Sequence, residues 1–141
     1  VRDGRAVVRS WLNRNRYLAN SHVTPAHFPD PSVSAAEWEA FNPLQKNAWY
    51  WQAVNAHARQ QNPDLILSFE AIFNSDYQDL FALLDLMTSA TYDAAEVRAK
   101  LNEKVNKTGN AFFPPFEEWP YFWQEQFWAI ARDEMQLLGY A

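Results

Sequence analysis

Leu65-Ile66-Leu67-Ser68-Phe69 decides how this chain is read. Five mostly apolar residues just after Asn62-Pro63 predict a short strand of the buried type, the kind found inside a sheet covered on both faces. A second strand end is expected at Val1-Arg2, and most of the rest reads as helix. One strand and a strand end do not make a sheet. The expected fold class is therefore α/β, with the other strands supplied by residues outside these 141.

Outward from that run the helices announce themselves by their caps. Ser75-Asp76-Tyr77-Gln78 opens one, with Leu80, Leu83, Leu84 and Met87 expected to face inward. Asp93-Ala94-Ala95-Glu96 opens the next, which is expected to end near Lys104. Upstream, Ser34-Ala35-Ala36-Glu37 is a capping box, and Asn42-Pro43 is a cap with proline at the first helical position. The helix after Asn42 should run to about Gln60, with Leu44, Ala48, Trp51, Asn55 and Ala58 on one face. Pro25, Pro29 and Pro31 mark residues 20–33 as a loop.

The final helix is predicted from about Pro120 to a left-handed cap at Gly139. Its core stripe takes Trp123, Phe127, Ile130, Leu137 and Leu138, and Glu134 falls inside that stripe. An unpaired buried carboxylate is costly, so Glu134 is expected to find a cationic or hydrogen-bonding partner, most simply an arginine.

The chain is rich in aromatic residues, with 7 Trp, 6 Tyr and 10 Phe, and it has no cysteine, which excludes disulfides and thiolate chemistry. No apolar run approaches the ~20 residues of a membrane-spanning helix. The sequon Asn106-Lys107-Thr108 hints at secretion, but the absence of cysteine points to the cytoplasm. His22, His27 and His57 lack partners at ligand spacing, so no metal site is expected.

Charge is distributed unevenly. Residues 1–16 carry five arginines (Arg2, Arg5, Arg9, Arg14, Arg16) against Asp3, a local balance of +4 in a chain of net −5. An acidic chain with one basic end suggests a small compact anion as ligand, not nucleic acid. Asp3 is the expected cap of a helix running from about Arg5 to Leu18, with Val7, Val8, Trp11, Leu12 and Leu18 as its apolar stripe. Ser10 lies on one flank beside Arg14, whereas Arg5, Arg9 and Arg16 share the other and are expected to be solvated. A strand end, a tight turn and a helix start offer an anion free amides, and Arg2 adds a forked donor.

The stretch Val1 to Leu12, VRDGRAVVRSWL, resembles the 3′-phosphate-binding motif of sulfotransferases that use 3′-phosphoadenosine 5′-phosphosulfate (PAPS), with an Arg at a strand end and a Ser eight residues later. Phe69-Glu70-Ala71-Ile72 resembles that family's Tyr-Glu-Asp-Leu pattern. Asn106 to Asn110, NKTGN, resembles its late basic loop, and the segment ending at Leu138-Gly139-Tyr140 its terminal helix.

The resemblance implies a P-loop NTPase-like sulfotransferase fold, with residues 1–141 as the C-terminal portion of one domain and the phosphosulfate loop and catalytic base upstream. It also implies a donor site of Arg2, Ser10, Phe69, Lys107 and Gly109, with PAPS as donor and the bisphosphate PAP as product. No catalytic residue is expected within this stretch, and no metal is required. Phe112, Phe113 and Phe116, in a loop, are candidates for the wall of a pocket holding a small-molecule or carbohydrate acceptor.

The family's tyrosine hydroxyl is missing at Phe69, and a carboxylate is missing at Ala71. Glu70, at a strand end, also suits holding a turn or pairing with an arginine. Two other readings stay open: a nucleotide or sugar kinase of related topology, and a non-catalytic helical module that binds a partner protein.

Overall fold

The computed structural model describes residues 1–14, 23–28, 33–73, 77–89, 91–102 and 113–140. Seven α-helices lie among them: α1 (Gly4–Asn13), α2 (Ala35–Ala40), α3 (Pro43–Gln60), α4 (Phe69–Ile72), α5 (Gln78–Met87), α6 (Ala94–Asn102) and α7 (Tyr121–Leu137). Short 3-10 turns occupy Pro25–His27 and Phe116–Glu118. None of these helices is long and apolar enough to cross a membrane.

Most of the expected caps form where the sequence places them, whereas α5 starts after a left-handed Tyr77 with no side-chain cap, and Ser75 and Asp76 lie outside the described residues. Asp3 accepts from the Arg5 amide at 2.7 Å and starts α1. Ser34 and Glu37 exchange side-chain-to-amide bonds, as do Asn42 and Gln45, so two capping boxes open α2 and α3. At the far end of α7, Gly139 takes φ +78°. The Tyr140 amide there donates to the Met135 carbonyl and the Gly139 amide to Gln136, the two bonds of a Schellman turn.

The core forms where α3 packs between α1 and α7. Val8 from α1, Ala48 from α3, and Phe127, Ala131 and Met135 from α7 are fully buried, with Leu44, Trp51 and Trp119 nearly so. Val7, Trp11 and Leu12 pack against this cluster, completing the described part of the α1 stripe; Leu18 lies outside the described residues. A second cluster sets Trp38 of α2 against Trp49 of α3, ring centroids 4.9 Å apart, with Phe28 edge-on to Trp49.

Glycine is required where α1 crosses this core. A Cβ on Gly4 would lie 2.9 Å from Trp51 Cδ2 and 3.1 Å from Met135 Sδ. Alanine favours a helix over glycine by about 1 kcal/mol, but forcing apart a packed indole and thioether costs about 1–3 kcal/mol. Gly4→Ala is therefore expected to lower the urea midpoint, and a raised midpoint would show that the core yields freely at this crossing.

The expected α/β layer is not what these residues form: among those described there is no strand and no sheet. Leu65 to Ser68 forms no regular element, and Ser68, itself extended, accepts from the Ala71 amide at Oγ (2.9 Å) and turns the chain into α4. Phe69, expected as the last strand residue, is the first of a helix. The apolar run is not buried either, with Leu65 and Ile66 49% and 43% exposed. What survives is a single rung. The Val1 ammonium donates to the Leu67 carbonyl at 2.7 Å, and the Phe69 amide donates to the Val1 carbonyl. Those two bonds have the pattern of one parallel bridge, and a strand needs a succession of them.

Two helical faces also differ from expectation. In α5, Leu80, Leu83 and Leu84 are only half-buried and Met87 is exposed, because few other described residues pack on this helix beyond α4, Tyr92 and Arg98. In α7, Leu137 is exposed, since the helix ends there and its last turn projects past the core. Ala131 and Met135 take up the buried stripe instead.

Candidate functional site

The junction between the first residues and the start of α4 brings two predicted donor-site residues together. The single rung pins Val1 beside Ser68, and the Trp51 indole N–H donates to the Arg2 carbonyl at 3.1 Å. Held this way, Arg2 lays its guanidinium over the Phe69 ring, 4.7 Å from the centroid. Phe73, one turn along from Phe69, packs against that ring at 4.5 Å between centroids. Both phenylalanines are about two-fifths exposed. An arginine stacked by its face keeps its N–H groups in the open plane, where they can grip an anion as a fork.

Two other arginines of this end, Arg5 and Arg9, are already engaged. Arg5 makes a bidentate bridge to Asp3 at 3.0 and 2.6 Å, donates to the Tyr140 carbonyl, and lies 5.8 Å from the ring centres of Phe116 and Trp128. Its hydrogen bond to Asp3 raises the guanidinium pKa against the opposing effect of burial. Arg9 donates to the Phe113 carbonyl at 3.0 Å. Arg5 and Arg9 are thus braces and not solvated charges. Arg14 is exposed at the end of α1, and Arg16 lies outside the described residues. Arg2 forms no ion pair with any described residue.

The start of α1 is closed to an anion by the protein's own carboxylates. Asp3 covers the Arg5 amide, and Glu70 Oε1 accepts from the Asp3 amide at 3.3 Å. Glu70 Oε2 accepts from the Tyr140 hydroxyl at 2.8 Å, so Glu70 ties α4 to Asp3 and to the residue after Gly139 and pairs with no arginine among the described residues. Burial, with help from Glu70, raises the Tyr140 hydroxyl pKa far above its ordinary value.

The other predicted residues are placed variously. Ser10 is half-buried on α1, six residues or about 9 Å of rise beyond Gly4, and no hydrogen bond joins it to Arg2. Lys107, Gly109 and Phe112 lie outside the described residues. Phe113 stacks on Trp123 at 5.2 Å and meets Trp119 edge-on, while Phe116 packs among Trp119, Phe127 and Trp128. Both are half-buried packing residues, which leaves only part of each ring for an acceptor. His27 is exposed and receives the Thr24 amide at Nδ1 (3.1 Å); His57 is exposed and edge-on to Phe28; His22 lies outside the described residues.

Sequence reasoning did not single out Phe73 or Tyr140 as parts of this cluster. Phe69 and Phe73 are spaced one helical turn apart, a signal that the strand reading conceals. Tyr140 reaches Glu70 across 70 positions, and no local pattern encodes that contact. No protein-family model, curated protein or solved structure matches this chain.

Proposed function

We propose that the Arg2–Phe69 junction is the 3′-phosphate end of the donor site of a sulfotransferase that uses 3′-phosphoadenosine 5′-phosphosulfate. The observation behind this reading is the stack itself: a guanidinium with no acidic partner among the described residues rests on an aromatic ring 67 positions away, both partly exposed. A forked cation beside the Phe69–Phe73 pair suits a nucleotide, with its ribose phosphate on the guanidinium and its planar base near the rings. In the transfer, the acceptor oxygen or nitrogen attacks sulfur, the bond from sulfur to the 5′-phosphate oxygen breaks, and the bisphosphate leaves. A base removes the acceptor's proton. Arg2 and Phe69 hold the donor in line and make no bond themselves.

Titration calorimetry of the 141-residue chain with adenosine 3′,5′-bisphosphate tests the proposal. Arg2→Ala is expected to weaken binding by ~1.5–3 kcal/mol, the range of a charge-assisted hydrogen bond, or roughly 10- to 100-fold. Arg9→Ala should leave affinity almost unchanged, because Arg9 braces the Phe113 carbonyl. Tighter binding of ATP than of the bisphosphate would favour the kinase reading, and equal losses from both variants would refute the assignment to Arg2.

One observation favours a second reading, a helical module that binds a partner protein. Seven of the ten residues of α5 are apolar, yet none is buried, and Leu86 and Met87 are each 74% exposed. A helix apolar on all sides is normally covered. Failure to bind either nucleotide would leave this reading the stronger.

A further inference from the structure

Arg2 is one of the most mobile side-chain types, and in this chain it lies on an exposed surface. Its resting place on Phe69 therefore depends on how firmly its main chain is held relative to α4. Val1 is fixed on both sides of Ser68, and the Arg2 carbonyl is held by Trp51. On the other side of Arg2 the tie to α4 is a single contact, the Asp3 amide to Glu70 Oε1 at 3.3 Å.

Glu70 is itself exposed and, left alone, would sample several rotamers. The Tyr140 hydroxyl, on its second oxygen at 2.8 Å, restricts that freedom. Tyr140 is anchored in turn. Its amide closes the Schellman turn onto Met135, and its carbonyl accepts from Arg5 Nη2 at 3.1 Å. A chain of contacts thus runs from the end of α7 through Tyr140 and Glu70 to Asp3, the residue next to Arg2.

We propose that Glu70 and Tyr140 are positioning residues for Arg2: the Tyr140 hydroxyl fixes the Glu70 carboxylate, and Glu70 fixes the main chain that places the guanidinium on Phe69. Only the identity of the ligand rests on the donor-site reading. The placement of Arg2 can be measured without any ligand. A small displacement of a forked donor changes how well it meets a phosphate, so the effect should appear in affinity as well.

The test uses the 15N-labelled 141-residue chain. In the wild type, the Arg2 Nε–Hε resonance should be displaced by the ring current of Phe69, and Phe69→Leu should abolish that displacement. Tyr140→Phe removes the donor to Glu70, and Glu70→Gln leaves one amide oxygen where two carboxylate oxygens stood. Both variants should move the Arg2 resonance toward that of free arginine, while the Arg5 resonance, locked to Asp3, stays in place. Both should weaken adenosine 3′,5′-bisphosphate about 3- to 10-fold with a thermal midpoint close to that of the wild type. Tyr121→Phe, an exposed tyrosine bonded to Glu125, should alter neither signal.

An Arg2 resonance unchanged in both variants overturns the proposal. So does one that shifts while bisphosphate affinity holds, or one that shifts only together with Arg5 and a fallen midpoint, since that is general loosening. If the Arg2 resonance shifts alone but the wild-type chain binds no bisphosphate, the positioning role stands and the donor-site reading falls.

Discussion

Arg59→Leu is expected to destabilise the chain by about 2–3 kcal/mol at neutral pH, seen as a lowered urea midpoint. Glu134 is 3% exposed, on the face of α7 that also buries Ala131 and Met135. Its two oxygens accept from Arg59 Nε at 3.2 Å and Nη2 at 3.0 Å, the only ion pair of this carboxylate among the described residues. The helix ends add to the effect. Glu134 lies in the last turn of α7, where the dipole disfavours a negative charge, and Arg59 lies in the last turn of α3, where it favours a positive one. Removing Arg59 leaves a carboxylate buried against an unfavourable helix end. The loss stays below that of a fully enclosed pair because the Arg59 side chain is 36% exposed and water already screens it.

The double variant separates this account from simple loss of packing. Arg59→Leu with Glu134→Leu replaces both charges by apolar groups of fitting size and should recover most of the lost stability. A double variant no more stable than Arg59→Leu alone would mean that the aliphatic stem of Arg59, and not its charge, supports the α3–α7 packing.

That pairing was legible in the sequence because it follows from one rule applied to one face: a carboxylate inside an apolar stripe needs a partner. The caps at Asp3, Ser34, Asn42 and Gly139 were legible for a similar reason, since each satisfies the backbone within three residues of itself. Leu65 to Phe69 was not. An apolar run of five residues has too few positions to display a period, and Ser68 serves equally as a strand residue and as a helix cap. The cap prevails here: Ser68 Oγ accepts from the Ala71 amide, and among the described residues Val1 alone pairs with this run.

Long-range partners account for the rest. A helical wheel puts Arg5 and Arg9 on one flank, but it does not reveal that the Tyr140 and Phe113 carbonyls, 135 and 104 positions away, will meet them there. Periodicity likewise identifies the apolar residues of α5 without showing whether anything covers them. Of the predicted donor site, the Arg2–Phe69 contact emerges in the structure, although the sequence placed those residues on two strands and the structure places them at a terminus and a helix start.

Phe127→Ala is expected to cost ~3–5 kcal/mol, the largest loss of any single change considered, because the site cannot collapse around the vacancy. Phe127 is fully buried where the 3-10 turn at Phe116–Glu118 meets α7. Trp128 lies 5.2 Å from it by ring centroid, Phe116 5.4 Å and Trp119 6.1 Å, all edge-on. Two of the three are indoles, and Trp119 is held in place by its N–H to the Pro114 carbonyl at 2.9 Å. A large rigid ring tied by a hydrogen bond does not move in to fill a cavity. Phe122→Ala, five residues earlier on the same helix but 56% exposed, should change stability by less than about 0.5 kcal/mol. Urea melts of the two variants, with near-UV circular dichroism to follow the indoles, provide the comparison. Similar losses from both would place the weight of this corner outside the Phe127 cluster. A large loss confined to Phe127 would mean that Phe116, which packs on it, is first a structural residue, so that any effect of Phe116 variants on an acceptor must be corrected for stability before it is read as binding.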